Sequence, residues 1–256
     1  MDLYSFAPIA ALLDGAYAVV MALADLLEPV AGTASAALAI VLVTLLVRTA
    51  LIPVGISQVK AANARRRLTP QLAELQKKHK KDREVLQRKT MELYQRENVS
   101  PTAGCLPMLL QLPVVSIIYG LFIVTTINGH ANALLTESVF GMPLGASFVR
   151  ELFAGTLDVS AAVLMVVVVA VIAVVAQLSR TLLAEPVPAH AAKPAPGIPD
   201  LSRVMRALTF LPFVTAIIAL FVPLAAAIYM TITTIWTFCE RSVLRRIHPA
   251  QAAAAS

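Results

Sequence analysis

The sequence contains little charge for its length. Only 14% of its 256 residues are Asp, Glu, Lys or Arg, whereas 58% are hydrophobic. Soluble globular domains are about a quarter charged and about half apolar. The scarcity of charge therefore excludes an ordinary soluble domain and predicts an integral membrane protein.

Cysteine and histidine are also scarce. The only cysteines, Cys105 and Cys239, match no metal-binding spacing, and the four histidines are scattered over hydrophilic segments. The topology predicted below places both thiols near the cytosolic face, where cysteines normally stay reduced. We therefore expect no disulfide framework, no metal site and no cofactor.

Groups of catalytic residues are missing from the apolar part of the sequence. The predicted spans contain no paired carboxylates, no histidine cluster, and no serine or cysteine flanked by a base. Enzyme sites are recognised by such groupings of nucleophile, base and orienting group. We therefore expect that the protein is not an enzyme.

Long uncharged stretches are what the sequence does contain. Four of them are near or above the roughly 20 residues that a helix needs to cross a bilayer. The last is too long for one span, and Pro223 near its middle divides it into two short helices. The sequence therefore predicts an all-α polytopic membrane protein with five transmembrane helices. We place these helices at residues 34–56, 105–127, 159–179, 204–221 and 224–241.

Positive residues collect in three of the remaining segments. Twelve Lys or Arg lie in residues 57–98, and others lie in 180–206 and after Glu240, whereas the opposite side carries only Arg150. Positively charged loops remain in the cytosol. The N-terminus is therefore predicted outside and the tail 242–256 inside, and the net charge of +6 requires no nucleic-acid partner.

Residues 1–33 have the pattern of an amphipathic helix. Apolar residues from Phe6 to Leu27 recur at helical spacing, and the acidic residues Asp14, Asp25 and Glu28 share a sector about 60° wide. The segment lacks the basic start of a signal peptide. We predict a helix on the outer membrane surface; a sixth, poorly inserted span is the alternative.

The connecting segments differ in character. Residues 57–98 repeat leucines at helical spacing on both sides of a polar cluster at His79–Asp82, which predicts a cytosolic hairpin of two helices. Thr69 followed by Pro70 indicates a helix restart or a kink. Residues 180–203 are predicted as a Pro-rich cytosolic loop, and 128–158 as an extracytoplasmic loop to which we assign no chemistry.

Arg48 lies alone in the apolar run Ala36–Ile56. A charge at membrane depth costs about 3 kcal/mol on insertion scales and usually faces a partner or a watery cavity. Thr44 precedes it by one helical turn on the same face. Arg48 is therefore a candidate functional residue, although it lies only about 12 Å from the end of its helix, where snorkelling to the membrane surface is the alternative.

Three stretches resemble the YidC, Oxa and Albino family of membrane protein insertases. These are LLVRTALIPVGISQVK (Leu45–Lys60), TPQLAELQKKHKKD (Thr69–Asp82) and LYQRENVSPTAGCLPMLLQLPVVSIIYGLF (Leu93–Phe122). The resemblance implies five core spans around a hydrophilic groove that is open to cytosol and lipid. It also implies a bacterial plasma-membrane protein that acts as a monomer.

The resemblance also implies which residues line the groove. Arg48 occupies the position of the family's groove arginine, Gln111 a polar position of the second span, and Tyr229 a tyrosine of the last span. The remaining candidates, which are neighbours of these on the same helices, are Thr44, Thr233 and Thr234. Gln111 has an alternative role as an interhelical hydrogen-bonding group, and a membrane threonine can bond its own helix.

The last span departs from the family pattern. Ala225 replaces the usual glycine, Met230 an aromatic residue, Thr234 an asparagine, and Glu240 a glutamine. These departures put the client range and the polarity of the groove in question.

The expected function is insertion and chaperoning of membrane proteins. Expected partners are nascent membrane proteins and membrane lipids, with the ribosome and a Sec-type translocon as further partners. A small transporter or channel is the main alternative, because it also explains a buried charge and broken helices. A pore-type translocase differs from the insertase only in lacking a groove that is accessible from lipid.

Overall fold

The computed structural model describes residues 4, 6–79, 82–97, 106–183 and 210–247, excluding the side chains of 65, 66, 83, 106–114, 211 and 212. The described chain is mostly helical. The helices are α1 (Ala7–Ala31), α2 (Ser35–Ala50), α3 (Ile52–Lys78), α4 (Arg83–Arg96), α5 (Leu106–Ile123), α6 (Phe148–Ala154), α7 (Val159–Leu182), α8 (Leu211–Ile218) and α9 (Leu224–Ile247).

The chain forms two compact units. Unit 1 comprises residues 1–48 and 116–238, and unit 2 comprises residues 49–115 and 239–256. Two runs of the described chain, Ala7–Ala50 and Val159–Leu182, are long and apolar enough to cross a membrane.

A single hydrophobic core holds unit 1 together. It joins α1, α2, α5, α7, α8 and the start of α9 with the segment 124–158. Small residues allow close approach at its centre, because Ala36 and Ala39 of α2 and Ala225 and Ala227 of α9 are fully buried. Small residues are common where helices pack in membranes, since they let backbones come together.

Helix α7 has two opposite apolar faces. The residues of one face are buried in the core, and those of the other are valines exposed on the surface of the protein. Two helical faces separated by about 180° correspond to a helix between a protein core and an apolar phase. The buried face consists of Ala161, Met165, Val168, Ile172 and Ala176, and the exposed face of Val159, Val163, Val166, Val167 and Val174.

Helix α1 presents a third, acidic side between two apolar ones. Leu13, Val20 and Ala24 are buried in the core, while Leu12 and others on another side are exposed. The acidic sector predicted from the sequence lies on the flank between them, and its member Asp25 is exposed. This pattern fits a helix with one side on protein, one in lipid and one in water.

The segment 124–158 contains the described strands. β1 (Thr126–Ile127) pairs with β2 (His130–Ala131), and β3 (Ser138–Val139) pairs with β4 (Met142–Pro143). The prediction of an all-α protein missed these two hairpins. Their turns are two residues long, with both turn residues at positive φ, which is the type I′ geometry of tight hairpins.

Buried Asn132 fixes the end of α5 to this segment. Its Nδ2 donates hydrogen bonds to the carbonyl oxygens of Leu121, at 2.8 Å, and Val124, at 2.9 Å. The last carbonyls of a helix have no partner within the helix. Asn132 supplies one from the loop.

The same segment also anchors the start of α9. The N–H of Leu224 donates to the Ala146 carbonyl at 2.9 Å, and that of Ala225 to the Leu144 carbonyl at 3.0 Å. The first N–H groups of a helix likewise lack partners within it. The 3₁₀ turn Gly32–Ala34 that leads into α2 packs against β3. The starts of helices α2 and α9 therefore both lie next to the segment 124–158.

Two side chains of the first hairpin bind α1 through Asp14. Asn128 Nδ2 donates to Asp14 Oδ2, and His130 Nε2 lies 2.9 Å from Asp14 Oδ1. The ring of Tyr17 lies 5.0 Å from that of His130. The carboxylate raises the pKa of His130 above its usual value, with a smaller contribution from the Ala131 carbonyl.

Unit 2 contains the charged helices α3 and α4, which pack against each other. α3 ends at Lys78, and α4 begins at Arg83 with Asp82 as its N-cap, whose Oδ1 accepts from the N–H of Val85 at 3.0 Å. The turn therefore falls in the polar cluster predicted from the sequence.

The helix boundaries differ from the predicted ones in several places, including the ends of α5 (Ile123), α7 (Leu182) and α8 (Ile218). The predicted span 34–56 is two helices with a break at Leu51, because Pro53 has no N–H to continue the ladder of α2. Of the two alternatives predicted at Thr69–Pro70, a restart is wrong, since α3 runs through Pro70, and a kink stays a prediction. The predicted tail 242–256 begins inside α9, which continues to Ile247.

We predict that His130→Ala lowers the thermal unfolding temperature in detergent more at about pH 5.5 than at about pH 9. A group whose pKa is raised by folding stabilises the protein below its unfolded pKa, and the effect is lost as pH rises through the folded pKa. Asn128→Gly is the control, because it removes a bond to the same carboxylate without removing a titrating group. Equal losses for His130→Ala at both pH values would contradict the prediction.

Candidate functional site

Arg48 lies in the last turn of α2 and is partly buried. Among the residues that the structure describes, no acidic side chain pairs with its guanidinium. A half-buried cation without an internal counter-charge is available to an anionic or polar group from outside the chain.

Thr44 lies one turn before Arg48 and is buried. Its Oγ1 donates to the Ile40 carbonyl at 2.6 Å. A threonine hydroxyl that bonds its own helix in this way is largely satisfied. Thr44 therefore presents mainly its methyl group on this face of the helix.

The two candidate threonines of α9 differ in their hydrogen bonding. Thr234 Oγ1 donates to the Met230 carbonyl at 2.7 Å. Thr233 Oγ1 is buried and finds no partner among the described residues. An unsatisfied buried hydroxyl costs about 1–3 kcal/mol. Thr233 is therefore the stronger candidate for binding a polar group.

Tyr229 packs against the hydrophobic core of unit 1. It is partly buried, and its ring lies 6.1 Å from that of Phe122 at a tilted angle, a separation typical of aromatic pairs. Its role in unit 1 includes packing α9 against α5.

Thr44 and Thr233 lie at equal distances along their helices. Each is nine residues from the start of its helix, at Ser35 in α2 and Leu224 in α9. At 1.5 Å per residue, both lie about 14 Å from those starts, and Arg48 lies about 6 Å further on. Thr44 and Thr233 therefore lie equally far along two helices whose starts both lie next to the segment 124–158.

Gln111 belongs to unit 2, whereas the other five candidates belong to unit 1. Its backbone lies in α5, and its side chain lies outside the described residues. The structure therefore brings five of the six candidates into one unit and leaves the place of the Gln111 amide as a prediction.

Unit 2 contains a close approach between α3 and α9. A Cβ atom at Gly55 would overlap the carboxylate of Glu240. The side chain of Glu240, one of the departures from the family pattern, thus lies directly over the glycine backbone. It brings a negative charge to the first turn of α3, where the helix N-terminus favours it.

The profile of the family described as 60Kd inner membrane protein matches residues 27–251. The chain belongs to this family. The match runs from the end of α1 past the end of α9, so it includes parts of both units and all the candidate residues.

Curated relatives are similar over parts of the chain. A "Membrane protein insertase YidC" of Oceanobacillus iheyensis is 45% identical over 86 residues, which are 32% of this chain and 34% of that protein. One of Streptomyces avermitilis is 27% identical over 227 residues, 83% of this chain and 51% of that protein. One of Fusobacterium nucleatum is 30% identical over 129 residues, 47% and 63% of the two chains. The match covers less than two thirds of each of these relatives.

The contacts of the segment 124–158 were not predictable from local sequence patterns. Asp14 and His130 are 116 positions apart, and no local pattern links them. The Asn128–Gly129 pair was a usable signal, since this dipeptide favours a type I′ hairpin. The loop assigned no chemistry is thus a structural part of unit 1.

We predict that Gly55→Ala stabilises the protein more in a Glu240→Ala background than in the original one. Alanine favours a helix over glycine by up to about 1 kcal/mol, but its Cβ must first displace the Glu240 carboxylate. A double-mutant cycle of unfolding in detergent measures the coupling. Gly15→Ala, where nothing lies within 4 Å of the added Cβ, is the control; a coupling of zero for Gly55 would contradict the contact.

Proposed function

We propose that the protein is a membrane protein insertase and chaperone. The family and the names of its relatives support this activity. The observation that carries it in the structure is the cation Arg48 on the apolar helix α2, together with the Thr233 hydroxyl in the same unit, since neither group has a partner among the residues that the structure describes.

The proposed site is a hydrophilic groove among five transmembrane helices, open to cytosol and lipid. Arg48, Thr44, Gln111, Tyr229, Thr233 and Thr234 are its proposed lining. The N-terminus lies outside and the C-terminus in the cytosol of a bacterium. The hairpin of α3 and α4 is cytosolic and receives the client.

The proposed mechanism is physical. Moving the polar end of a client chain into hydrocarbon is costly unless its groups find partners. Arg48 offers a positive charge and five N–H donors to acidic or carbonyl groups, and Thr233 offers a hydroxyl nearer the start of α9. These groups lower the cost of bringing a short polar segment part of the way across. The client's apolar span then partitions into lipid without nucleotide hydrolysis or covalent chemistry.

Proposed clients are nascent membrane proteins, which the protein serves as a monomer. A ribosome and a Sec-type translocon are further proposed partners through the basic hairpin. The basic charge of this hairpin also suits an anionic lipid surface.

Site-specific photo-crosslinking tests the proposal. A probe at Thr44, Gln111 or Thr233 should crosslink to ribosome-bound chains of a small single-span protein. A probe at Val167, which is exposed on the lipid-facing side of α7, is the matched control and should give little product. Folded, membrane-bound protein without crosslinks at any of the three positions would refute the insertase proposal. Solute flux through sealed vesicles would instead favour a transporter or channel.

Single substitutions should separate the groups of the site. We predict that Thr233→Val reduces client insertion, whereas Thr234→Val has little effect. The two substitutions are chemically identical and adjacent, but only the Thr234 hydroxyl is already bonded within the helix. Equal loss for both variants would show that the hydroxyl of Thr233 has no special role.

Arg48 should act through its charge. We predict that Arg48→Ala lowers insertion of a client with an acidic outer tail by about tenfold, the effect of about 1.4 kcal/mol, and that Arg48→Lys retains most activity. Insertion is measured as protection of the tail from added protease. A client with an uncharged tail is the control, and an equal loss for both clients would contradict a charge-based role.

A further inference from the structure

Large apolar side chains are exposed where α7 begins. Phe140 is 65% exposed, Phe153 86% and Phe221 62%. Each phenylalanine carries 150–250 Å² of surface, and apolar surface left in water costs about 25 cal/mol per Å². Three such residues at one end of a unit need an apolar partner.

Hydrogen bonds join the second hairpin to α7 and join α6 to the chain before Phe221. The Phe140 carbonyl accepts from Ser160 Oγ, in the first turn of α7, at 2.9 Å. The N–H of Val149 in α6 donates to the Leu220 carbonyl at 3.2 Å. Phe153 lies in that same helix α6, and Phe221 follows Leu220 directly. We call Phe140, Phe153 and Phe221 the apolar rim.

Phe140 has a backbone conformation that is unfavourable for a bulky residue. Phe140 has φ +49°, in the left-handed region that bulky residues avoid. It occupies the first turn position of the second hairpin, which favours asparagine. The first hairpin has the preferred Asn128–Gly129 at the same positions. A phenylalanine here strains the turn and points to a role for the ring outside the protein.

Lipid is the partner that the surroundings favour. Val159 begins the exposed face of α7, which stays free of charge through Ala176. These 18 residues span about 27 Å, close to the thickness of the hydrocarbon core. The start of α7 therefore lies at the boundary between acyl chains and headgroups.

The polar groups near the rim fit that boundary. Asp158 precedes α7, and the Ser160 hydroxyl bonds its carboxylate and keeps its pKa below the usual value. In α6, Arg150 and Glu151 lie beside the apolar Leu152 and Phe153. Helices with apolar residues on one side and charges on the other lie in the interface plane of a bilayer.

We propose that the apolar rim is inserted into the lipid interface at the end of the membrane where α7 begins. The segment 124–158 is then a membrane-seated element and not a loop in water. It holds the starts of α2 and α9 at a fixed depth in the bilayer. This inference requires membrane residence of the protein and is independent of its insertase activity.

Tryptophan quenching in brominated lipid tests the rim. In a Trp236→Phe background, which removes the only native tryptophan, single tryptophans are placed at Phe140, Phe153 or Ala133 and the protein is reconstituted into phosphatidylcholine vesicles. Ala133 is an exposed small residue of the same segment that lies outside the rim. We expect that lipid brominated near the headgroup lowers the fluorescence of the two rim positions about twofold and that of the Ala133→Trp control much less.

Two results would overturn the proposal. One is equal quenching at all three positions, and the other is no quenching at the two rim positions. If the Trp236→Phe background does not fold, the same positions are compared as cysteines carrying a polarity-sensitive fluorophore, in a Cys105→Ser, Cys239→Ser background. Insertion of clients by the same samples is measured separately, so loss of rim contact and loss of function are distinguishable.

A turn substitution gives an independent readout. Phe140→Asn restores the preferred residue of a type I′ turn. If Phe140 faced water, this change would raise the unfolding temperature. We expect no rise, or a fall, for the vesicle-embedded protein, because the turn then loses its apolar contact. A clear rise in vesicles would refute insertion of Phe140.

Discussion

The hydrogen bonds between the segment 124–158 and the first N–H groups of α9 are the constraint on which the rest of unit 1 depends. Leu224 and Ala225 donate to Ala146 and Leu144, so the helix start is anchored by backbone groups. The alanines that follow lie deep in the core. Once this start is fixed, helix geometry sets the depth of every polar residue along α9.

The threonines of α9 are alike in the sequence but differ in their hydrogen bonding. Thr231, Thr234 and Thr237 each return their hydroxyl to a carbonyl of their own helix. The Oγ1 atom of Thr233, in contrast, is buried and unpaired among the described residues. A hydroxyl in this state gains most from a partner supplied by another chain. The polarity proposed for the groove thus depends on the Thr233 hydroxyl and on the charge of Arg48, neither of which has a partner among the described residues.

The segment 124–158 connects these features to the membrane surface. It caps α5 through Asn132, binds α1 through Asp14, and carries two members of the apolar rim. The proposed insertase activity requires polar groups held at a set depth while clients pass. A segment that fixes the helix starts and has the proposed seat in the lipid interface satisfies that requirement.

The sequence by itself determined the membrane class, the family and the main helices. Uncharged stretches and the lone Arg48 are local signals, because transfer of each residue into lipid depends on its own chemistry. The turn at His79–Asp82 was equally readable, since a polar cluster between two leucine repeats needs no distant partner. The break at Leu51 was missed, although Pro53 marks it.

Only the tertiary structure decided how the polar groups are used. The pairing of Asp14 with His130 and the contact of Gly55 with Glu240 join residues far apart in the chain, and the Thr233 hydroxyl finds no partner among the described residues. Hydrogen bonding and burial are properties of neighbours in space, and the sequence lists only neighbours in order. The sequence therefore predicted the candidate residues. The packing of the helices decided which of their hydroxyl groups bond their own helix, as those of Thr44 and Thr234 do.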